Sequence, residues 1–381
     1  MLEKSATTVR PHLASELQKL GATMLARCYN CGTCTAICPL SKEEREFPRM
    51  LIRYAILGLE DRLLSSPALW LCYYCGECSE TCPRDADPGA FMMAARRYAI
   101  KKYSWGRIAS TFYDSPIMSA AALLATTLVA ILGILLMKGP AVFSPVSLRE
   151  FLSFETIHDV GLWLGAFVGL SVLGNLAVMA KHMRAGTWKA ILAGKGIEIW
   201  LSTLMTSVTR EALAEINYTK CRNKNRYFAH MALFWGFIGL AVSTTIDFIL
   251  GLGSIPLYPI PLQRVLGIAS GIAFSCGVGY YLYKRIKKDE EHVKFSHFSD
   301  WMLLILMLLS GLTGLLLTMT LYANSSAAAY TLFALHLVVV FDLLVLAPFT
   351  KFAHAVYRPL AIWVNEAAWT LKKLETTGGV A

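Results

Sequence analysis

Cys28-Tyr-Asn-Cys31-Gly-Thr-Cys34-Thr-Ala-Ile-Cys38-Pro39 and Cys72-Tyr-Tyr-Cys75-Gly-Glu-Cys78-Ser-Glu-Thr-Cys82-Pro83 decide how this chain is read. Both are complete copies of the C-x2-C-x2-C-x3-C-P run. Three cysteines at two-residue intervals let a short loop wrap three corners of an iron–sulfur cubane. The fourth leads away past a proline and ligates the other cubane. On that rule one [4Fe–4S] cluster takes Cys28, Cys31, Cys34 and Cys82, and a second takes Cys72, Cys75, Cys78 and Cys38. Zinc is the competing reading, but four-thiolate zinc sites use paired C-x2-C units and leave the third and fourth cysteines of each run surplus. Gly32 and Gly76 each follow a second cysteine, where a tight turn must pass close to the cluster.

Ten cysteines are present, and the two outside these runs, Cys221 and Cys276, read as small buried or loop residues. Clustered cysteines of this kind indicate metal in a reducing compartment rather than disulfides. Met1 to Gln18 has no apolar segment of the secretory type, so the N-terminal part is expected to stay inside the cell. Between the motifs, Glu43-Glu44-Arg45 and residues 50–58 and 59–64 look helical. That favours a mainly helical dicluster domain over a compact hairpin ferredoxin. Residues 1–113 are assigned to this cytoplasmic ferredoxin-like domain, with the boundary near Asp114-Ser115-Pro116.

Beyond that boundary the composition changes. The 381 residues are 55% hydrophobic and only 16% charged, against roughly 25% charged in soluble domains, and the imbalance falls in 114–381. Six runs are long and apolar enough to cross a bilayer as helices, near 117–137, 156–180, 228–250, 263–283, 300–321 and 329–350. The expected fold class is therefore all-α: a helical dicluster domain followed by a six-helix transmembrane bundle. If the N-terminal domain is cytoplasmic, the inner segments are 181–227, 284–299 and the tail from 351. These carry Lys181, Arg184, Lys189, Lys195, Arg210, Lys220, Arg222, Lys224 and Arg226, then Lys284, Arg285, Lys287, Lys288 and Lys294, then Lys351, Arg358, Lys372 and Lys373. The outer loops offer Lys138, Arg149 and the bordering Arg264. This asymmetry obeys the positive-inside rule and puts both termini inside. A nucleic-acid surface would not need to alternate with the spans, so the net charge of +10 implies no nucleic-acid partner. Within the first inner segment, 197–216 reads either as an amphipathic helix along the membrane surface or as a helix packed on the bundle.

Ionisable side chains at membrane depth are costly and are functional candidates by default. His336 and His354 lie 18 residues apart, five whole turns if the helix is continuous, so they would face one way about 27 Å apart. Pro348 between them is a possible kink. His230 opens the third run at the inner side, level with His354, and His158 opens the second at the outer side, level with His336. Four histidines thus fall into two layers, as two bis-histidine b-type haems require: His230 with His354 inside, His158 with His336 outside. Arg226, Lys351 and Arg358 flank the inner pair and suit haem propionates, although the positive-inside rule accounts for them equally. Asp159, Asp247 and Asp342 are either proton carriers for quinone chemistry or hydrogen-bonded structural groups. His292 and His297 read as loop residues.

The segment Cys28–Pro83, with Phe47-Pro48-Arg49 between the motifs, resembles the iron–sulfur C subunit of heterodisulfide reductases. Arg226-Tyr-Phe-Ala-His230, Phe234-Trp235-Gly236-Phe237, and His336 followed by Pro348-Phe-Thr-Lys351-Phe-Ala-His354 resemble the haem b subunits of that system and of respiratory nitrate reductases. The fusion of both halves is similar to the C subunits of the quinone-interacting membrane-bound oxidoreductase (Qmo) complexes. The resemblance implies a place in a bacterial or archaeal cytoplasmic membrane and exchange of electrons with menaquinone. It also implies two FAD/iron–sulfur partner subunits of the heterodisulfide reductase A type, and adenylylsulfate reductase beyond them, in dissimilatory sulfate reduction. There is one departure. The nitrate reductase subunit carries two ligands ten residues apart on an early helix, whereas Leu240 stands ten residues after His230 here. Either His158 replaces that ligand or one haem binds. No Cys-Cys pair occurs, so disulfide reduction by this chain itself is not expected. Two other readings are a subunit of a different heterodisulfide-reductase-like respiratory complex, and a haem-free anchor for the iron–sulfur domain.

Overall fold

The computed structural model of the chain describes residues 8–41, 47–141, 146–183, 197–250 and 261–376. The helix expected over Glu43-Glu44-Arg45, and Arg184, Lys189 and Lys195 of the first inner segment, lie outside these residues. Among the described residues every regular element is helical, so the fold is all-α, as the sequence predicts. In the iron–sulfur half, helices Leu13–Lys19, Arg49–Ile56 and Glu60–Ser65 surround Pro88–Tyr103. That last helix starts cleanly because the Asp87 carboxylate accepts from the Ala90 N–H and Pro88 occupies the first turn, where its missing N–H costs nothing. Leu13, Leu17, Leu51, Leu63 and Trp70 share one core with its Phe91 and Tyr98. It is buried on nearly all sides, including Arg96 and Arg97.

Among the described residues six helices are long and apolar enough to cross a membrane: Pro116–Met137, Phe154–His182, Lys224–Ile249, Leu262–Lys287, Phe298–Tyr322 and Ser326–Phe349. This is a membrane protein. Several spans run past the expected apolar stretch, the third starting at Lys224 and the fourth continuing to Lys287. Basic side chains extend a helix beyond lipid while their heads reach water. The outer faces expose Ile117, Leu136, Trp163, Ile249 and Leu262, a surface suited to lipid tails. The third and fourth spans touch backbone to backbone. A Cβ on Gly277 would lie 2.6 Å from the Ala229 carbonyl and from the Leu233 nitrogen, a close small-residue contact of the kind that holds membrane helices together. It grips the third span on both sides of His230.

One expectation is corrected by the last span. His336 and His354 do not share a continuous helix. The α-helix stops at Leu346, short 3-10 turns cover Ala347–Phe349 and Lys351–Ala353, and Thr350 between them is extended (φ −115°, ψ −170°) before a new helix, His354–Thr376. Pro348 removes a backbone donor. Its carbonyl, freed at the break, accepts from Asn175 Nδ2 at 2.8 Å, while Asn175 Oδ1 takes the Trp105 N–H at 3.0 Å. The five-turn alignment therefore does not apply, and the two histidines are oriented independently. The segment 197–216 is also settled in part: helix Ile197–Thr206 packs on His354–Thr376, with Trp363 Nε1 donating to the Trp200 carbonyl at 3.0 Å, and exposes Leu201 and Met205 on its other side.

The two halves are fastened at Asp300, 1% exposed near the start of the fifth span. It pairs with Arg97 of the central iron–sulfur helix, with Arg285 at 3.3 Å and with Lys351 at 3.1 Å. It also accepts from the His297 backbone N–H as half of a capping box. Removing one member of a buried ion cluster leaves its partners uncompensated, at a cost of about 3–5 kcal/mol. Asp300→Asn is expected to lower stability by that order, measured as the thermal midpoint of the detergent-solubilised protein, while an exposed control such as Lys294→Gln leaves it unchanged.

Candidate functional site

The two cysteine runs adopt the same backbone path. Asn30 and Tyr74, the residues before the second cysteines, both have φ of 58°, and Gly32 and Gly76 after them have φ of 93° and 89°. Paired left-handed positions curl the chain so that successive sulfurs and amides point inward. The Asn30 N–H donates to Cys28 Sγ at 3.4 Å, and the Tyr74 N–H to Cys72 Sγ at 3.2 Å. A short helix then leads off each loop, Thr33–Ile37 and Glu77–Glu80. The loops close two cavities. Cys28, Cys31, Cys34 and Cys82 line one; Cys38, Cys72, Cys75 and Cys78 line the other. Four motif thiols around each cavity are the donor set a [4Fe–4S] cluster takes.

The cavities differ in setting. The first is peripheral: Cys31 and Tyr29 are exposed, with Arg84 over the Tyr29 ring at 4.0 Å. The second is enclosed by the membrane half. Arg358 lies 3.9 Å above the Tyr73 ring and donates to the Cys72 carbonyl at 3.1 Å, and Arg96 donates to the same carbonyl at 2.6 Å. Tyr73 donates to Glu211 at 2.7 Å and stacks on Tyr218 at 4.7 Å. The Tyr74 hydroxyl donates to the His292 carbonyl.

Sequence pattern does not single out three residues that matter at the second cavity. His292 is no mere loop residue: its side chain is fully buried, edge-on to Tyr74. A Cβ on Gly76 would fall 2.4 Å from its ring, so Gly76 is required by space as well as by φ. Cys221 is no isolated thiol either; it lines the second cavity. Arg96 is the third. Period and spacing cannot find such residues, because they reach the site across the fold.

His354 starts the last helix, one turn before Arg358, with Nδ1 against the Lys351 carbonyl at 2.6 Å. Burial pushes its imidazole down to about 3, and the nearby His230 adds to that. His230 Nδ1 lies 3.0 Å from a Glu215 carboxylate oxygen, a contact without hydrogen-bond alignment. The His354 Nδ1 is thus occupied from behind, the arrangement that orients a metal-ligating imidazole through Nε2. His336 has the same support: Thr313 Oγ1 donates to the Leu309 carbonyl and receives His336 Nδ1 at 2.9 Å. His158 differs. Its ring stacks on Phe248 at 4.0 Å, and Nδ1 is 3.8 Å from Asp159. Of the three propionate candidates, Arg226 is paired with Glu290 at 2.6 Å and Lys351 with Asp300, while Arg358 keeps Nε and Nη2 buried without a partner. Asp342 accepts from Thr127 at 2.6 Å through one oxygen and has the other unpartnered; Asp159 is exposed.

A family model described as citrate utilization protein B matches residues 117–369. The chain belongs to that family. In this citrate utilization protein B relative, residues 24–86 also match a 4Fe-4S dicluster domain, so the protein holds two [4Fe–4S] clusters. The same region is 38% identical over 71 residues to an Archaeoglobus profundus protein described as like the C subunit of heterodisulfide reductase, covering 18% of this chain and 38% of that protein. It is 39% identical over 57 residues to the C subunit of the H(2):CoB-CoM heterodisulfide,ferredoxin reductase of Methanothermobacter thermautotrophicus, covering 15% and 31%. The chain thus spans less than two fifths of the length of these curated relatives. No solved structure matches it.

Burial and the cations Arg226, Arg285 and Lys284 push the His292 imidazole down to about 3. In the unfolded chain it protonates near 6.5, so stability is full above that pH and falls as the solution is acidified toward 3, by up to about 1.4 kcal/mol per pH unit. Denaturant midpoints measured at pH 7 and pH 5 are expected to fall less in His292→Gln than in the wild type.

Proposed function

We propose that this protein is a membrane electron-transfer subunit that exchanges electrons with menaquinone through b-type haem and passes them through its two [4Fe–4S] clusters to a soluble flavoprotein partner. The observation that carries this reading is a single helical turn. His354 at the start of the last helix stands about 6 Å along the axis from Arg358, whose guanidinium donates to the Cys72 carbonyl of the second cavity. A haem ligand and the wall of a cluster site on adjoining turns suit tunnelling between the two centres. On this reading Cys28, Cys31, Cys34 and Cys82 hold the outer-facing cluster that meets the partner, and Cys38, Cys72, Cys75 and Cys78 hold the cluster that meets the membrane.

Haem b, when bound, supplies a one-electron centre within the bundle. His230 and His354 hold the inner one, His354 aimed by the Lys351 carbonyl behind its Nδ1, and Arg358 offers its unpartnered donors to a propionate. His336 and His158 hold the outer one, with His158 the less supported member. Asp342, half-satisfied and buried, is a candidate proton carrier where quinone chemistry needs one. Residues 1–113 act as the dicluster domain and 114–381 as the membrane domain. The clusters and both termini face the cytoplasm of a bacterial or archaeal cell. Support for this sidedness comes from the Lys and Arg placement, and from contacts of the iron–sulfur half with Glu211, Arg222, His292 and Arg358, all in inner segments.

Two partner readings differ in their support. Similarity to heterodisulfide reductase C proteins favours two FAD/iron–sulfur A-type subunits leading to adenylylsulfate reductase, as in the Qmo complexes. The citrate utilization family, matched over the larger part of the chain, favours a partner that serves the use of citrate. Co-purification from the native membrane, with identification of the bound flavoprotein, separates them. For the core of the proposal, pyridine haemochrome assay of the purified chain is expected to give two haems. His354→Ala or His230→Ala should each lose one of them, and His336→Ala the other. Full cluster absorbance with no haem in the wild type would reduce the protein to a tethered ferredoxin.

A further inference from the structure

Cys221 lies in a segment of the membrane half, yet its side chain is 1% exposed and lines the second cluster cavity beside Cys38, Cys72, Cys75 and Cys78. Its Sγ, the Cys75 Sγ and a Glu77 carboxylate oxygen all lie within 4.8 Å of one another. Its position is fixed from both sides. Tyr218, three residues before it, stacks on Tyr73 at 4.7 Å. Arg222, the residue after it, donates its backbone N–H to Glu77 Oε1 at 2.6 Å and pairs through its guanidinium with Glu80. Both acidic residues belong to the short helix that leads off the Cys75 loop. The first cavity is lined by four cysteines and no fifth among the described residues.

Four thiolates complete a [4Fe–4S] cluster, so a fifth sulfur is surplus as a ligand. A thiol is also a weak hydrogen-bond donor, and a ligand sulfur carries the negative charge that seeks one. We infer that the Cys221 thiol donates a hydrogen bond to the cluster-bound sulfur of Cys75 and thereby raises the reduction potential of the second cluster alone. Reduction adds an electron to an already anionic cluster, and a donor aimed at its sulfur stabilises the reduced state more than the oxidised one. The segment carrying the thiol also touches His230 through Glu215. The donor therefore belongs to the element lying between the second cluster and the inner histidine pair. Cys221 is a positioning and tuning residue, not a ligand. The inference rests on the assignment of Cys38, Cys72, Cys75 and Cys78 to one cluster and is independent of haem and quinone.

The test is an EPR-monitored redox titration of the full-length protein in detergent, with iron content measured in parallel. Cys31→Ser, at the exposed cavity, first identifies which wave belongs to the first cluster by displacing it. Cys221→Ala is expected to keep the iron content of the wild type and to move the other wave to lower potential, leaving the first in place. Cys221→Ser retains a donor and is expected to recover most of that shift. The inference is overturned if neither wave moves, if both move together, or if Ala and Ser each abolish one cluster, which would make Cys221 a ligand. Absence of haem from the wild-type sample would count against the proposed function and leave this readout intact.

Discussion

One carboxylate in a dry interface fixes the relation of the two halves. Asp300 holds a cation from the central iron–sulfur helix, one from the end of the fourth span and one from the break before the last helix. Each of those charges would be costly to bury alone, and each is made tolerable by the same acid. The geometry is therefore shared: a shift of any one helix exposes a charge on the other two to an apolar surrounding. The approach of the last helix to the Cys72 loop, and with it the closing of the second cavity, depends on that three-way anchorage.

From this anchor the second cavity inherits its walls. Segments from the membrane half close over it, bringing Tyr218, Cys221, His292 and Arg358, while the first cavity keeps an open edge with exposed Tyr29 and Cys31. The dense packing shows in Gly76, where a methyl group would collide with His292. Two loops with the same cysteine spacing and the same left-handed turns thus sit in unlike environments. Cluster potentials follow hydrogen bonding, nearby charge and exposure, so matching motifs carry no promise of matching potentials.

The cysteine spacing and the six apolar runs made the fold class readable in the sequence, because both signals are local and periodic. The histidines were readable as candidates for the same reason: an imidazole within an apolar run stands out. Contacts made across the fold were not. Cys221 and His292 stand in ordinary-looking loops, and their place at the second cavity depends on how spans three to five return to the iron–sulfur half. The break at Thr350 was only half visible. Pro348 announced a disturbance, but the extended residue behind it, and the Asn175 amide that takes up the freed carbonyl, belong to tertiary structure. His158, legible by its place in an apolar run, lacks among the described residues the hydrogen-bonded support that His336 and His354 have.

The exchange of fourth cysteines has a consequence for biogenesis. Cys82 lines the first cavity and Cys38 the second, so the second cage has all its sulfurs only once residue 78 has left the ribosome and the first only once residue 82 has. A nascent chain ending between the motifs offers an iron donor one three-cornered site and a single sulfur of the other. The first membrane span begins at Pro116, little more than thirty residues later. Metal loading and delivery to the translocation machinery thus fall within the same short interval of synthesis, and an iron-starved cell would commit the anchor to the membrane ahead of its cargo.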